Sequence, residues 1–277
     1  MKISTCDDAE VNALINSGVN TNITDKYGKN ALHRAAEHGC LKVVDILIKN
    51  GANVNAVGGD DSTALAFVAS NGTEIVDLLV KNGADVNLNA PIINLIQTHK
   101  DDIAIQLIKN GADVNIQYGG EAPMYPLNTA ALFAQCPENI VEQLVNAGAN
   151  LSITNEMGRS PLSEAINDGY DRIAELYIKN GADVNQTDDY GYTPLFLAAQ
   201  KRLDNVVEML IKKGANVNAR TEDASTPLHW AAQSGSATTV NLLLKNGADK
   251  DAKTSDGKTP LDFAEMKGNR EIGQFLT

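Results

Sequence analysis

Apolar residues recur along the chain in pairs of short helical patterns, of which residues 188–218 give the clearest example. Two stretches, separated by a polar break near residue 202, each place small or branched apolar residues on one helical face. These positions are Leu195, Ala198 and Ala199 in the first stretch, and Val206, Val207, Leu210 and Ile211 in the second. Thr193 and Pro194 are typical of a helix start, and Gly214 of a left-handed helix end. The pattern predicts a helix, a turn and a second helix.

A turn signal precedes each helix pair. Asp188 stands first and Gly191 fourth in the clearest unit, as in a tight turn. Here the Thr193 hydroxyl is expected to cap the amides of the following helix. Each unit therefore reads as a hairpin tip, a helix, a turn and a second helix.

The stretch Asn-Gly-Ala-Asp-Val-Asn at 180–185 recurs in close or looser form along the whole chain. Its anchoring glycines are Gly18, Gly51, Gly83, Gly111, Gly148, Gly181, Gly214 and Gly247, and their successive differences are 33, 32, 28, 37, 33, 33 and 33. A fixed period of this size is typical of a repeat array, in which each unit buries its apolar face against its neighbours.

The two irregular differences predict a changed pair of units in the middle of the chain. About five residues, equivalent to a hairpin tip, are missing between Leu88 and Asn89. The next unit is about two residues longer at 117–126 and about two longer at 135–137. Non-glycine residues also replace turn glycines, where a left-handed backbone is expected to cause strain. They are Asp61, His99, Arg202 and Ala224.

Composition and charge narrow the classes of partner. The chain is 43% hydrophobic and 21% charged, which suffices for a continuous core. Its formal net charge of -12 and pI near 4.7 predict repulsion from phosphate backbones and anionic lipids. We therefore expect neither a nucleic-acid partner nor a membrane partner.

The cysteines and the start of the chain bear on the cell compartment. Cys6, Cys40 and Cys136 are odd in number and widely spaced, which indicates neither a disulfide framework nor a zinc site. They are expected to be reduced thiols. The first residues contain no apolar run of signal-peptide length, and no stretch has the length of a transmembrane helix. We expect a cytoplasmic protein.

The repeated pattern resembles the ankyrin repeat. It reads DKYGKNALHRAAEHG…VVDILIKNGANVN at 25–55 and TEDASTPLHWAAQSG…VNLLLKNGADKD at 221–251. The resemblance implies an all-α repeat solenoid of ankyrin-type stacked helix-turn-helix units with projecting β-hairpin loops. Residues 1–277 would form a single ankyrin-repeat domain. Its expected parts are a capping unit at 1–24, two units at 25–88, a unit without its hairpin tip at 89–117, a unit with a lengthened hairpin at 118–154, three regular units at 155–253 and a capping unit at 254–277.

The resemblance also implies a function. Ankyrin arrays bind protein partners without catalysis, through the concave surface made by hairpin tips and first helices. We therefore expect a monomer with a protein partner and with no cofactor, metal or catalytic site. The expected contact residues are Lys26, Tyr27, Lys29, His38, Tyr118, Met124, Tyr125, Met157, Arg159, Asp189, Tyr190, Tyr192, Gln200, Lys201, Glu222, Asp223 and Gln233.

Some residues permit more than one interpretation. For His33 and His229 the resemblance implies hydrogen bonds to the backbone of the neighbouring hairpin, whereas His38 and His99 read as solvated or contact residues. The acidic hairpin pairs 188–189 and 222–223 have the residue types for cation binding or acid–base work, but solvated turn charge is commoner. Trp230 reads as packed between helices, with a binding hot spot as the alternative.

Three classes of function remain after the sequence is read. The first is a binding module, and its Asn, Ile and Lys usage resembles that of host-directed ankyrin effectors from intracellular bacteria or viruses, which would place it in a host-cell cytosol. The second is an adaptor that uses residues 89–137 as a second site for another partner. The third is an enzyme, which no motif in the sequence supports.

Overall fold

The chain forms pairs of short helices, as predicted. A computed structural model describes residues 6–70, 72–119, 124–133 and 138–277, without the side chains of 132 and 133. The predicted insertion at 135–137 and part of the long hairpin lie outside these residues. Contacts divide the chain into unit 1, Met1–Ala149, and unit 2, Asn150–Thr277, which are described in turn.

Unit 1 contains two rows of helices. First helices pack on first helices and second helices on second helices, so each repeat touches the next one twice. The first helices are α2 (Ala31–Glu37), α4 (Ala64–Phe67), α6 (Pro91–Gln97) and α8 (Pro126–Phe133). The second helices are α1 (Asp8–Asn16), α3 (Leu41–Lys49), α5 (Thr73–Lys81), α7 (Asp101–Lys109) and α9 (Glu138–Asn146).

Unit 2 repeats this arrangement with more uniform lengths. The first helices are α10 (Pro161–Asp168), α12 (Pro194–Lys201), α14 (Pro227–Ser234) and α16 (Pro260–Lys267). The second helices are α11 (Asp171–Lys179), α13 (Asp204–Lys212), α15 (Ala237–Lys245) and α17 (Arg270–Leu276). Proline at each first-helix start supplies a preset φ where no intrahelical N–H bond is lost.

The core lies between the two rows. In α12 the alanines Ala198 and Ala199 are wholly buried and allow the α14 backbone to come close, and in α13 Val206, Val207 and Leu210 close the other side. Burying a branched apolar side chain contributes roughly 1.5–3 kcal/mol. Because these residues come from both helices of every repeat, each repeat is stable only against its neighbours.

Asparagine side chains join successive repeats beyond the ends of several second helices. The Asn22 amide donates to the Gly51 carbonyl (3.0 Å) and accepts from the Asn53 amide (2.8 Å). Asn55, Asn185 and Asn218 make the equivalent pairs of bonds one repeat further on. The recurring asparagine therefore satisfies a carbonyl and an amide that the left-handed glycine turn leaves free.

The hairpins are minimal. Among the described residues, three isolated antiparallel bridges close them, at Thr24–Asn30, Val57–Thr63 and Tyr118–Met124. All three bridges join residues six positions apart, so the third hairpin has the same closing length as the others. Its additional residues lie on either side of the bridge, in the approach from α7 and before α8.

The connection between α5 and α6 has no hairpin. Residues 82–90 form successive turns, in which Leu88 N donates to Asp85 O (3.4 Å) and Ala90 N to Asn87 O (3.0 Å). Asn89 and Ala90 are both left-handed, with φ of 58° and 48°. Two consecutive left-handed residues without glycine turn the chain directly into Pro91, at a backbone cost of about 1–2 kcal/mol each.

Helix α4 is shorter than its equivalents. The chain leaves the helix at Val68 (φ −46°, ψ 130°), and Ala69 N donates to Ala36 O of the preceding first helix (3.0 Å). The freed carbonyl of Phe67 accepts from Lys100 Nζ (3.3 Å). Lys100, the N-cap residue of α7, thus caps the shortened end of α4.

The predicted left-handed positions are confirmed. Arg202, His99, Asp61 and Ala224 have φ of 62°, 55°, 57° and 60°. Arg202 ends α12 in the conformation that Gly235 adopts at the end of α14. A side chain at such a position crowds the following carbonyl, which makes it less stable than glycine.

We expect Arg202→Gly to stabilise the protein by about 0.5–1 kcal/mol, because glycine removes the left-handed strain at the end of α12. Urea unfolding followed by circular dichroism measures the change. Lys201→Gly is the matched control, since Lys201 is exposed and helical, and it should destabilise by about 1 kcal/mol. Equal effects of both variants would contradict the strain argument.

The cysteine prediction is wrong for two of the three residues, because Cys6 and Cys40 form a disulfide. Cys6 lies just before Asp7, the N-cap of α1, and Cys40 is the N-cap of α3, so the two lie within one position of equivalent places in adjacent repeats. Their Cα atoms are 5.1 Å apart, within the range that a disulfide requires. The bond fastens α1, whose only buried residue is Val11, to the next repeat.

We expect reduction of the disulfide, or the Cys6→Ser variant, to lower the stability of the α1 repeat by about 2–4 kcal/mol. The reason is that the bond closes a loop between cysteines 34 residues apart in the chain. Hydrogen exchange of the α1 and α3 amides, with and without dithiothreitol, measures this effect. Cys136→Ser is the control, since it leaves both bonded sulfurs in place. Unchanged exchange after reduction would show that α1 docks without the bond.

Candidate functional site

Three hairpin tips share one construction, in which the turn side chain of Asp25, Asn155 or Asp188 accepts hydrogen bonds from the tip backbone. Asp25 Oδ1 accepts from Tyr27 N (2.8 Å) and Lys29 N (3.0 Å). Asp188 Oδ1 accepts from Tyr190 N (3.0 Å) and Tyr192 N (2.9 Å) in the same way. Such turns are a recognised property of Asp and Asn side chains. Each tip is therefore held rigidly from inside.

A large side chain projects from the same place on each of three tips. Tyr27, Met157 and Tyr190 follow their turn residues by two positions, and their exposures are 59%, 50% and 57%. They are among the few large apolar side chains of the described chain that are this exposed. A fixed backbone under an exposed Tyr or Met lowers the entropy that binding would remove.

Neighbouring tips are joined through their backbones. Asp189 N donates to Met157 O (3.1 Å) in unit 2, and Gly59 N donates to Tyr27 O (3.2 Å) in unit 1. Ser255 N and Asp223 O repeat the contact (2.9 Å). The predicted residues Met157, Asp189 and Tyr190 thus lie on adjacent tips of a single surface.

Tyr192 faces inward. Its ring is 5.7 Å from that of Phe196 and 5.8 Å from that of Trp230, both edge to face. Burial, with the carboxylates of Asp223 and Asp188 nearby, raises the pKa of the Tyr192 hydroxyl. Trp230 is half-buried and its Nε1 is enclosed, with no hydrogen-bond partner among the described residues. This aromatic cluster supports the tip on which Tyr190 projects.

The carboxylates of unit 2 differ in their surroundings. The Asp223 carboxylate accepts from the Thr221 hydroxyl and from Ser225 N (3.2 Å) and Oγ (3.0 Å), and these bonds lower the pKa of Asp223. The Asp188 side chain is wholly buried, with its Oδ2 3.6 Å from Arg159 Nε. Asp189 and Glu222 remain exposed beside Tyr190.

Unit 1 gathers cations around two aromatic rings. Lys26 Nζ lies 4.8 Å from the ring centre of Tyr27, and Lys29 Nζ lies 3.6 Å from that of Phe67. Arg34 forms ion pairs with Asp25 (2.6 Å) and with Glu37, one helical turn further on (2.9 Å). An open groove of about 590 Å³ lies here, lined by Lys26, Tyr27, Gly28, Lys29, Arg34, Gly59 and Asp60.

The other predicted contact residues are scattered. Tyr118 is exposed at the third hairpin, whereas Met124 and Tyr125 are half-buried, and Met124 Sδ accepts from Gln97 Nε2 (3.2 Å). His38, Gln200 and Lys201 are exposed at first-helix ends, and Gln233 is half-buried.

The two buried histidines act as the resemblance implied. His33 Nε2 contacts Ser62 O of the next hairpin (3.2 Å), and His229 Nε2 contacts Lys258 O (3.1 Å). Each Nδ1 also accepts from the backbone N–H of its own helix cap, at Asn30 and Thr226. The imidazole therefore joins a helix start to the neighbouring hairpin.

The expected Thr193 cap is not formed, because the Phe196 N–H donates to the backbone carbonyl of Thr193 (3.0 Å) and not to its hydroxyl. At the equivalent Thr226 the hydroxyl meets His229 Nδ1 (2.9 Å), whereas Phe196 offers no ring nitrogen. Thr193 Oγ1 and the equivalent Thr63 Oγ1 are buried and lack partners among the described residues. A buried hydroxyl without a partner costs about 1–3 kcal/mol.

Sequence reasoning did not select Arg34, Phe67 or Lys100 as surface residues. Arg34 and Phe67 hold the same first-helix position as Trp230, and each of these three side chains contacts a hairpin residue. That shared position was the available signal. Lys100 Nζ donates to Phe67 O because α4 ends early, and the sequence pattern did not indicate that shortening.

Neither a metal-binding group nor a membrane-spanning helix is present within the described ranges. No group of three or more His, Cys, Asp or Glu side chains is placed to hold a metal ion there. None of the helices described above has the length and apolar character needed to cross a membrane.

Comparison with known families agrees with this architecture. A profile described as "Ankyrin repeats (3 copies)" matches residues 3–58 and 127–221, one described as "Ankyrin repeats (many copies)" matches 210–264, and one described as "Ankyrin repeat" matches 60–90. The chain belongs to the ankyrin repeat family. These ranges leave out 91–126, which contains α6 and α7. No curated protein matches the chain significantly.

Family membership bears on function at a general level. Ankyrin repeats are protein–protein interaction modules and are typically non-enzymatic. The hairpin tips, with rigid backbones and exposed large side chains, have the character of such a surface.

We expect the protein to lose stability as the pH falls from 7 towards 5. Burial lowers the pKa of both His33 and His229, so below the unfolded value of about 6.5 the unfolded chain binds more protons than the folded one. Urea midpoints across this range measure the slope. His229→Gln should flatten it, and His38→Gln, at an exposed position, serves as the control. An unchanged slope in His229→Gln would contradict the assignment.

Proposed function

We propose that this protein is a non-enzymatic binding module that holds a protein partner on the hairpin tips and first helices of unit 2, centred on Tyr190. The observation that carries the proposal is a fully buried Asp188 fixing the backbone of a tyrosine that is itself 57% exposed. Exposed tyrosines on rigid supports are typical binding hot spots.

The surroundings of Tyr190 suggest the chemistry of the partner. Met157 on the adjacent tip adds apolar area, and Asp189 and Glu222 place exposed carboxylates at the edge. A partner surface with an apolar anchor and flanking Lys or Arg complements this arrangement. Asp223 takes less part, since hydrogen bonds within its own hairpin already occupy its carboxylate.

An adaptor is the second candidate, because the hairpin surfaces of the two units differ in charge. Tyr27 in unit 1 is flanked by Lys26 and Arg34, whereas Tyr190 in unit 2 is flanked by carboxylates. Two such surfaces suit two different partners. A host-directed role and a cytoplasmic location stay predictions.

We expect Tyr190→Ala to abolish capture of a protein partner from cell extract, because it removes the proposed hot spot. The helical circular dichroism should stay unchanged, because the Tyr190 side chain contacts solvent and its backbone is held by Asp188. Affinity capture with quantitative mass spectrometry measures the loss. Lys212→Ala is the control, since it removes a long exposed side chain from the second helix α13.

Tyr192→Phe separates surface from support. It keeps the ring contacts to Phe196 and Trp230 and removes only the hydroxyl. Capture that survives in Tyr190→Ala, or that falls equally in Lys212→Ala, would contradict a site centred on Tyr190.

A further inference from the structure

Charge is unevenly distributed within unit 1. Residues 1–50 contain six Lys and Arg against six Asp and Glu, whereas residues 51–149 contain three against eleven. Four cations nevertheless meet on one surface, Lys26, Lys29 and Arg34 from the first repeat and Lys100 from the start of α7. This surface, with Tyr27 and Phe67, is called the basic groove below.

The carboxylates nearest the basic groove are already engaged. Asp25 binds Arg34 Nε (3.2 Å) and Nη2 (2.6 Å), and Glu37 binds Arg34 (2.9 Å) and lies 3.7 Å from Lys29. Lys26 pairs with no carboxylate among the described residues and lies against the Tyr27 ring. The groove therefore has cationic capacity that its own acids do not use.

Lys100 belongs to the same cluster of cations, since its ammonium donates to the backbone carbonyl of Phe67, whose ring lies under Lys29. This ammonium is partly buried. Burial lowers the pKa of Lys100, the Lys29 charge lowers it further, and Glu37 opposes both effects. An anion entering between Lys29 and Lys100 would relieve this repulsion, because opposite charges attract more strongly where water is partly excluded.

The aromatic rings restrict the kind of anion. Tyr27 is 59% exposed between Lys26 and Arg34, and Phe67 lies under Lys29. They offer apolar area beside the charge, which suits a chain that alternates acidic and apolar side chains. A nucleic acid presents a continuous line of phosphates to a unit with a net charge of -8, so long-range repulsion disfavours it.

We propose that the basic groove of unit 1 binds an acidic peptide segment of a protein partner, with carboxylates at Lys26 and Lys29 and an apolar side chain on Tyr27. The inference rests on the proposed protein-binding function and adds a second surface of opposite preference. Asp60, at the Gly59 side of the groove, orients the segment by repelling its carboxylates towards the lysines.

The test uses fluorescence anisotropy with the full chain and a fluorescein-labelled peptide of alternating glutamate and leucine. The same peptide with glutamine in place of glutamate is the neutral probe. We expect tighter binding of the acidic peptide, weakening with added salt. Lys26→Ala and Lys29→Ala should each reduce its affinity about two- to fivefold, as for partly exposed ion pairs. Lys42→Ala, at an exposed position on α3, is the control.

A charge reversal keeps the proposal falsifiable if alanine has small effects. Lys26→Glu should weaken the glutamate peptide further and strengthen a peptide of alternating lysine and leucine. Equal binding of the glutamate and glutamine peptides would overturn the proposal, as would equal losses in Lys42→Ala. Binding of a thymidine oligonucleotide as tight as that of the acidic peptide, or self-association seen by sedimentation, would replace it with another occupant.

The two proposals fail separately. Loss of the acidic preference with partner capture still dependent on Tyr190 would remove this inference alone. Retained acidic preference with no effect of Tyr190→Ala would remove the unit 2 site alone.

Discussion

The hydrogen bonds of the recurring asparagine are the interaction on which each unit depends. The Asn185 amide spans from its own repeat to Gly214 O (3.0 Å) and Asn216 N (2.8 Å) of the next. It does so where a left-handed glycine has ended a helix and left its last carbonyls without intrahelical partners. Apolar burial supplies most of the stabilisation, but it is non-directional. The asparagine fixes the spacing at which the apolar faces meet.

A second set of polar groups supports the hairpin tips, so that the residues that form the binding surface differ from those that hold it in place. Asp25 and Asp188 hold the hairpin backbones, and the side chains of Tyr27 and Tyr190 project into solvent. His33 and His229 tie the helix starts to the next hairpin. The tips are therefore positioned by buried groups. A change of side chain at a tip alters the surface and leaves its support intact.

Much of this was predictable from the period of the chain. Helix pairs, their faces and the left-handed positions of His99 and Arg202 followed from aligning each repeat with its neighbours, since a missing glycine marks a required positive φ. Contacts that depend on one changed repeat were not predictable. The α4 helix ends early, and only then does Phe67 O become available to Lys100.

Two further expectations were wrong for other reasons. Cys6 and Cys40 meet because nearly equivalent positions of adjacent repeats lie side by side, a relation that the number of cysteines did not indicate. The Thr193 hydroxyl forms no cap because the Phe196 N–H donates to the Thr193 backbone carbonyl (3.0 Å). Of the candidate contact residues, sequence selected the exposed tips but also Tyr192, whose ring packs inward.

The direct turn from α5 into α6 shows what the architecture tolerates. A whole hairpin tip is absent between Asn82 and Ala90, yet α4 still packs on α6 and α5 on α7. The helix packing of unit 1 therefore persists where one hairpin tip is absent. A hairpin tip can be lost from such an array while the helices on either side of it stay packed. The binding specificity of such an array can change one hairpin tip at a time.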